Sequence, residues 1–311
     1  MSNIVTITLN PAVDKTYVVD DLVPEHKLRC NNPLVEAGGG GINVSKGLRE
    51  LGSSSVAIFF TAGRNGELLH ELLQQERIEC KPVPVQGETR ESLVIMDQSS
   101  KKEFRIVVDG PKIDISAFQE ITRMVQTIKP SWLIASGSLP DGLQKDVYSI
   151  LAKTAKSISA KFILDTSGDA LKAALAEGIY LIKPNLKELS HLAGVKSLQV
   201  SEVPEAAKKL ISEGKAEVIV VSMSSEGAML VTKDMHRHIA SPKIEQKSTV
   251  GAGDSMVSGM VWALQNNKSV LEMVCWGIAC GSAATMNNGS QLFKKEDVYT
   301  LFEAIREKTD L

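Results

Sequence analysis

No apolar run in the chain approaches the ~18 residues that crossing a bilayer requires, so nothing in it reads as a membrane span. Cysteine is scarce. Cys30, Cys80, Cys275 and Cys280 form no CxxC pair and match no zinc-ligand spacing. Cys275 and Cys280 lie in an apolar helical segment and read as packing residues. The five histidines are scattered, and only His236 and His238 are placed to share a strand face. An excess of either charge is missing too: 35 Lys and Arg against 37 Asp and Glu leave a formal net charge of −2. That argues against nucleic-acid or anionic-membrane partners. Repeats, linkers and low-complexity tracts are absent. The chain opens on the strand-like Ile4-Val5-Thr6-Ile7-Thr8-Leu9, without a basic, apolar and cleavable leader, so the cytosol is the expected location.

Two nucleotide signatures are also missing. A P-loop needs G-x-x-x-x-G-K-[ST], and no such run occurs. The dinucleotide fingerprint is G-x-G-x-x-G with an acidic residue about 20 positions later. Gly38-Gly39-Gly40-Gly41 puts Asn43 or Val44 where its third glycine belongs, which disfavours a dinucleotide oxidoreductase. Four consecutive glycines are more than one tight turn requires. They read as backbone that a ligand hydroxyl or phosphate approaches, with Asn43 offering a donor and an acceptor. A tight strand-to-helix turn is the plainer alternative.

What is present is an ordinary globular composition, 43% hydrophobic and 23% charged, over 311 residues. Strands are expected at 4–9, 55–60, 132–136, 160–165, 180–185 and 217–222. Helices are expected at 45–51, 66–75, 117–127, 145–157, 171–176, 186–192 and 205–213. Apolar strands alternating with helices imply an α/β fold with a mostly parallel sheet covered on both faces. The short strands 16–19 and 33–36 and the hairpin 89–96/103–108 read as a separate small sheet, built from about 13–37 and 88–109 within one domain of 1–311. In open α/β sheets ligands bind beyond the carboxyl ends of the strands. Asp14, Ser138, Asp165, Asn185 and Ser222 all follow apolar strand ends and are expected on one edge. The apolar helix 271–286 carries Gly277, Gly281, Ala283 and Ala284, which permit close packing, and Asn287-Asn288-Gly289-Ser290 ends it.

The most informative stretch is Ser248-Thr249-Val250-Gly251-Ala252-Gly253-Asp254-Ser255, which leads into a buried helix. The first turn of a helix has unpartnered amides and a positive dipole end. Gly251 and Gly253 let an anion approach that backbone closely, so the stretch reads as a phosphate cradle. Asp254 is either the helix cap or a base that takes a proton while the amides hold a phosphoryl group.

Five segments in this order resemble the ribokinase-like sugar kinases of the phosphofructokinase B group. They are Leu9-Asn10-Pro11-Ala12-Val13-Asp14, Gly38-Gly39-Gly40-Gly41-Ile42-Asn43, Ser136-Gly137-Ser138-Leu139-Pro140, Lys183-Pro184-Asn185-Leu186-Lys187-Glu188-Leu189 and the Ser248 to Ser255 stretch. The resemblance covers the whole chain. It implies a three-layer α/β/α fold with a small β-sheet lid. It is greatest to members that phosphorylate the C1 hydroxyl of fructose 6-phosphate, on Pro24-Glu25-His26-Lys27-Leu28-Arg29-Cys30, Gly40 and Gly281-Ser282-Ala283-Ala284-Thr285. Relatives acting on fructose 1-phosphate or tagatose 6-phosphate usually carry lysine where Gly40 stands, and those sugars are the alternative substrates. A non-catalytic sugar-phosphate sensor is the reading from another class.

The resemblance also implies roles. Asp254 is the expected base, with the amides of Gly251, Ala252 and Gly253 around the transferring phosphoryl group. Asp14, Gly39 and Asn43 are expected at the sugar hydroxyls, and Lys27, Arg90, Ser138 and Arg105 at the sugar phosphate. Lys27 is expected from a partner subunit, in a homodimer formed through the lid. Lys183, Asn185, Ser222, Ser224, Gly227 and Thr249 are expected to line the ATP site, though relatives often have glycine in place of Ser224. Asn185 and Glu188 match an N-x-x-E pattern that organises Mg²⁺ through water. Ser248, Val250, Ala284, Asn287 and Gly289 match a region that binds a monovalent cation, K⁺, in relatives.

Overall fold

The computed structural model describes residues 3–30, 32–287, 289 and 291–309. In chain order the elements are β1 (Ile4–Thr8), β2 (Ala12–Val19), β3 (Leu34–Gly38), α1 (Gly40–Glu50), β4 (Val56–Thr61), α2 (Gly63–Gln75), β5 (Glu79–Pro84), β6 (Arg90–Asp97) and β7 (Lys102–Val107). There follow α3 (Ile115–Ile128), β8 (Trp132–Ser136), α4 (Val147–Ser157), β9 (Lys161–Asp165), α5 (Gly168–Ala174), β10 (Ile179–Ile182), α6 (Leu186–Ala193), α7 (Val203–Ser212) and β11 (Ala216–Ser222). The chain closes with β12 (Ala228–Val231), β13 (His236–Ile239), α8 (Ala252–Gln265), α9 (Val270–Thr285) and α10 (Lys295–Thr309).

The main sheet has nine strands in the order β13-β12-β11-β10-β9-β8-β1-β4-β5. From β11 to β5 every pair is parallel, and β12 and β13 add an antiparallel edge. Parallel strands covered on both faces are apolar throughout: β1, β8 and the inner part of β11 are buried at every position. One face packs against α3 to α7 through Phe118, Tyr148, Leu171, Leu189 and Leu210. The other packs against α1, α8, α9 and α10 through Leu48, Val257, Met260, Ala279 and Phe302, with α2 beside them over Ala57 and Phe59. The result is three layers. No helix among the described residues is long and apolar enough to cross a membrane. The apolar helix α9 is instead buried against α8, and glycine makes the approach possible: a Cβ at Gly259 would lie 2.5 Å from the carbonyl oxygen of Trp276.

Several elements differ from expectation. β12 has no counterpart among the expected strands. β2 begins at Ala12 rather than 16, so Asp14 lies inside a strand of a second, smaller sheet instead of following a strand end of the main one. β5 has no counterpart in the sequence reading, because Pro82 and Pro84 argue against a strand. It lies at the sheet edge, where a missing N–H is harmless. Helix α1 begins at Gly40 rather than at 45. Its first turn lies against the ends of β1 and β8, with the Ile42 amide donating to Thr8 Oγ1 at 2.8 Å. That close approach outweighs the poor helix propensity of glycine. Of the residues read as ending α9, Asn288 and Ser290 lie outside the described residues.

A second sheet of four strands, β3-β2-β6-β7, stands apart from the first. β2 and β6 run parallel, and the outer pairs are antiparallel. Its inner side buries Val13, Ala37 and Val94. Val18, Phe104 and Ile106 remain 39%, 42% and 49% exposed. Two contacts join it to the segments flanking α8 and α9. Arg105 Nη2 donates to Thr249 Oγ1 at 3.2 Å, and Gly289 packs on the Thr16 hydroxyl, so that a Cβ there would lie 2.7 Å from Thr16 Oγ1.

Candidate active site

Helix α8 is capped by Gly251, whose φ of 70° places it in the left-handed region that glycine enters freely. Asp254 is therefore not the cap: it stands inside the first turn and turns its carboxylate away from the helix backbone. Asn43 Nδ2 donates to its Oδ2 at 2.9 Å, and Ser136 Oγ donates to its Oδ1 at 3.0 Å. The first-turn amides of α8 lack intrahelical i−4 partners, and that of Ala252 makes only a long 3.5 Å contact to the Thr249 carbonyl oxygen. The base candidate and the anion cradle thus occupy one helix end.

The ends of β8, β9 and β10 put more charge beside it. Lys183 is buried, and its Nζ lies 3.2 Å from Asp165 Oδ1. A Cβ at Gly253 would be 3.4 Å from that nitrogen, so the ammonium faces the cradle. Burial opposes the charge on Lys183, but Asp165, Asp254 and Glu188 together hold its pKa above the usual lysine value. Burial raises the pKa of Asp254, and Asp165 adds to the rise. Asn43, Ser136 and Lys183 pull it down. Burial likewise raises Glu188, with Asp165 adding and the Asn185 amide opposing. Three carboxylates thus share one ammonium, a balance that a divalent cation would relieve. Asn185 and Glu188 also form a capping box at the start of α6: Asn185 Oδ1 accepts from the Glu188 amide and Glu188 Oε2 from the Asn185 amide, both at 2.9 Å. Their spacing therefore has a structural cause beside the metal-binding one.

On the other side lie the residues expected at the sugar. The Asp14 carboxylate packs on Gly38. Burial pushes its pKa up to about 6, against Lys46 and Arg90 and with help from Glu36 and Asp254. Arg90 donates through Nε and Nη2 to the Asn10 carbonyl at 3.2 and 3.1 Å, and Asn10 Nδ2 donates to Ser138 Oγ at 3.1 Å. Arg90, Asn10 and Ser138 thus form one cluster beside Asp14. Gly39, with φ of 113°, caps α1 and packs on Thr8. A Cβ at Gly40 would lie 2.4 Å from Ser136 Oγ and 2.7 Å from the Gly137 amide nitrogen. In this structure packing against the end of β8 therefore gives glycine a reason of its own at this position, apart from any contact to the sugar. Arg105 faces Thr249 and Glu103 rather than this cluster. Lys27 is exposed in the connection between β2 and β3.

The residues expected at the nucleotide follow β10 and β11. Asn185 and Ser222 are bridged, and the Ser222 amide donates to the Pro184 carbonyl at 2.9 Å. Ser224 has φ of 53°, a left-handed conformation that explains why glycine suits this position. Gly227 closes the turn so tightly that a Cβ would lie 2.0 Å from the Ile239 carbonyl oxygen. Near the end of α9 the Thr285 carbonyl accepts from the Lys247 and Ser248 amides at 2.8 and 3.3 Å, and the Asn287 amide donates to the Ala284 carbonyl at 3.2 Å. Asn287 Nδ2 also donates to the Leu292 carbonyl at 2.7 Å, and the Val250 amide to Ser248 Oγ at 3.3 Å. The segments carrying Ser248, Val250, Ala284, Asn287 and Gly289 are thereby gathered at a helix C-terminus, whose partial negative charge suits a cation.

Ser136, Asn10 and Lys46 were not assigned roles by sequence reasoning. Ser136 and Asn10 lie in segments quoted above, but a single serine or asparagine at a strand end carries no local signal. Lys46 is buried in α1, with Nζ 3.2 Å from the Ala37 carbonyl oxygen and 3.7 Å from Glu36. It marks a buried cation behind Asp14.

Transfer of a phosphoryl group asks for a positioned acceptor, an amide cradle and cations around the moving charge. This edge of the sheet supplies those parts, and the class it defines is that of a small-molecule kinase. The family model for pfkB family carbohydrate kinases matches residues 4–297, and the chain belongs to that family. The ATP-dependent 6-phosphofructokinase isozyme 2 of Escherichia coli is 39% identical over 304 residues, covering 97% of this chain and 98% of that protein. A 1-phosphofructokinase of Bacillus subtilis is 32% identical, covering 97% and 98%. The crystal structure of Escherichia coli phosphofructokinase-2 in complex with potassium superposes with a TM-score of 0.93 at 38% identity, covering 98% of this chain and 99% of that one.

Proposed function

We propose that the protein transfers the terminal phosphoryl group of ATP to the C1 hydroxyl of fructose 6-phosphate, giving fructose 1,6-bisphosphate. The observation that carries this reading is Asp254, held by Asn43 and Ser136 in the first turn of α8 and facing Lys183. The names of the similar proteins support the substrate. Asp14 and Asn43 hold the sugar hydroxyls, with the backbone at Gly39 beneath them. Arg90 and Ser138 hold the 6-phosphate, and Lys27 reaches in from a second copy. Asp254 takes the C1 proton as the oxygen attacks. The amides of Gly251, Ala252 and Gly253, with Lys183, stabilise the charge on the transferring group. The segments of Ser222, Ser224, Gly227 and Thr249 line the nucleotide.

Asn185 and Glu188 would hold Mg²⁺ through water, and the surplus of buried carboxylates is what the ion would balance. When bound it neutralises phosphate charge. The gathered carbonyls at the end of α9 would hold K⁺. The small sheet is the lid of a single kinase domain. Its exposed Val18, Phe104, Ile106, Val107 and Val108 suit pairing with a second copy.

The test is initial ADP release with Mg-ATP and K⁺, comparing fructose 6-phosphate, tagatose 6-phosphate and fructose 1-phosphate. A kcat/KM highest for fructose 6-phosphate supports the assignment. Preference for either other sugar overturns the sugar while keeping the kinase. No turnover with any of the three overturns both.

A further inference from the structure

Ser136 ends β8 and pairs in register with Asp165, which ends β9. It is 1% exposed. Its hydroxyl lies between two carboxylates, 3.0 Å from Asp254 Oδ1 and 3.5 Å from Asp165 Oδ2. A hydroxyl has one hydrogen to give, so only one carboxylate receives it at a time, and the shorter contact is to Asp254. The other oxygen of Asp254 is taken by Asn43 from α1. Two donors from two different elements thus fix the plane of the carboxylate. Gly40 packs on the serine hydroxyl from behind, where any side chain would displace it.

Building on the reading of Asp254 as the base, we infer that Ser136 is its positioning residue, holding the carboxylate toward the sugar hydroxyl and turning its own hydrogen to Asp165 when Asp254 becomes protonated. The proton balance closes without covalent change at Ser136. The sugar proton moves to Asp254, which becomes neutral. Ser136 keeps its hydrogen and changes acceptor, and Asp165 remains paired with Lys183 at 3.2 Å. A neutral carboxyl needs the serine hydrogen less than an anion does, and Asp165 is the neighbouring anion. The charged groups that face Asp254 are Asp165 on β9, Lys183 after β10 and Asp14 on β2.

The experiment compares Ser136→Ala and Ser136→Cys with the parent enzyme and with Asp254→Asn, measuring thermal stability, ATP binding and the pH dependence of kcat. Cysteine keeps the side chain's place but is a weak donor. Both Ser136 variants should stay folded and bind ATP, and both should lose roughly 10- to 100-fold in kcat, the scale of one hydrogen bond to a charged group. The acid limb of kcat should move to higher pH in both, because losing a donor disfavours the ionised carboxylate. A cysteine variant that matches the parent would show that volume alone matters and would overturn the proposal. So would an unmoved acid limb in either variant. Asp254→Asn separates the two levels. If it keeps turnover, the base reading fails and the role of Ser136 with it. If it is inactive while both Ser136 variants behave like the parent, only the role of Ser136 fails.

Discussion

Asn43 on α1 and Asp254 on α8 stand 211 positions apart in the chain and meet in a 2.9 Å hydrogen bond. The helix that starts from the glycine run and the helix that starts at Gly251 are thereby joined at the carboxylate proposed as the base. Asn43→Asp would put two carboxylates in that contact, and two such groups cannot both ionise there. The acid limb of kcat should move to higher pH by a unit or more, on the order of the shifts that paired carboxylates show. Activity at pH 9 should recover relative to pH 6. A profile parallel to the parent's would mean that the contact does not persist during turnover.

At Asp14, stability and the proposed contact to the sugar should pull in opposite directions. Its pKa is raised from the ordinary 3.8 to about 6. The folded state therefore holds this proton more tightly than the unfolded state. Ionisation costs the fold stability, growing from about pH 4 and fully present above about pH 6. Asp14→Asn removes that cost, and the variant should be more stable than the parent at pH 8 by roughly 2–3 kcal/mol. The gain should be clearly smaller at pH 5. The same variant should bind the sugar at least tenfold more weakly, since it loses a charged hydrogen-bond acceptor, an effect on the order of 1.5–3 kcal/mol. Denaturant titrations at the two pH values, with sugar KM, check both halves.

Gly40 pits helix propensity against packing. Alanine is favoured over glycine in a helix by roughly 1 kcal/mol. A Cβ at this position would nevertheless meet Ser136 Oγ at 2.4 Å and the Gly137 amide nitrogen at 2.7 Å, and the nitrogen is backbone that cannot simply rotate away. Overpacking of this kind costs roughly 1–3 kcal/mol, so Gly40→Ala should lower the melting temperature by a few degrees and reduce kcat by displacing Ser136. A stabilised, fully active variant would contradict the packing described for α1 against β8.

The Arg105 to Thr249 hydrogen bond joins the small sheet to the segment that leads into the cradle. Arg105 is about half exposed, so its loss should change stability little. Arg105→Ala and Thr249→Ala should instead each lower kcat/KM, and the double variant should be no worse than the poorer single one. A double-mutant cycle should give a coupling of roughly 0.5–1 kcal/mol. Strictly additive effects would mean that the two residues act separately.

The parallel core was legible because its strands are apolar at nearly every position, as 132–136 and 217–222 show. The edge strand β5 was not, because Pro82 and Pro84 obscure the pattern where the sheet tolerates them. The glycine run was legible as something unusual. What it packs against, the end of a strand nearly a hundred residues away, was not. Asp254 drew attention through its glycine neighbours, yet from sequence alone a cap and a base look alike. Three-dimensional partners decide between them: Gly251 takes the cap, and Asp254 receives hydrogen bonds from Asn43 and Ser136. Ser136 and Asn10 had no local signature, because their importance lies in what distant strand ends bring to them.

The account rests most heavily on Asp254 acting as the base, and the most direct measurement is kcat of Asp254→Asn with fructose 6-phosphate and Mg-ATP, alongside calorimetric binding of each ligand. The predicted result is a fall of roughly 10²–10⁴-fold in kcat, the range a positioned base supplies, with both ligands still bound at near-parent affinity. Turnover within about tenfold of the parent, far short of a base's contribution, would contradict it.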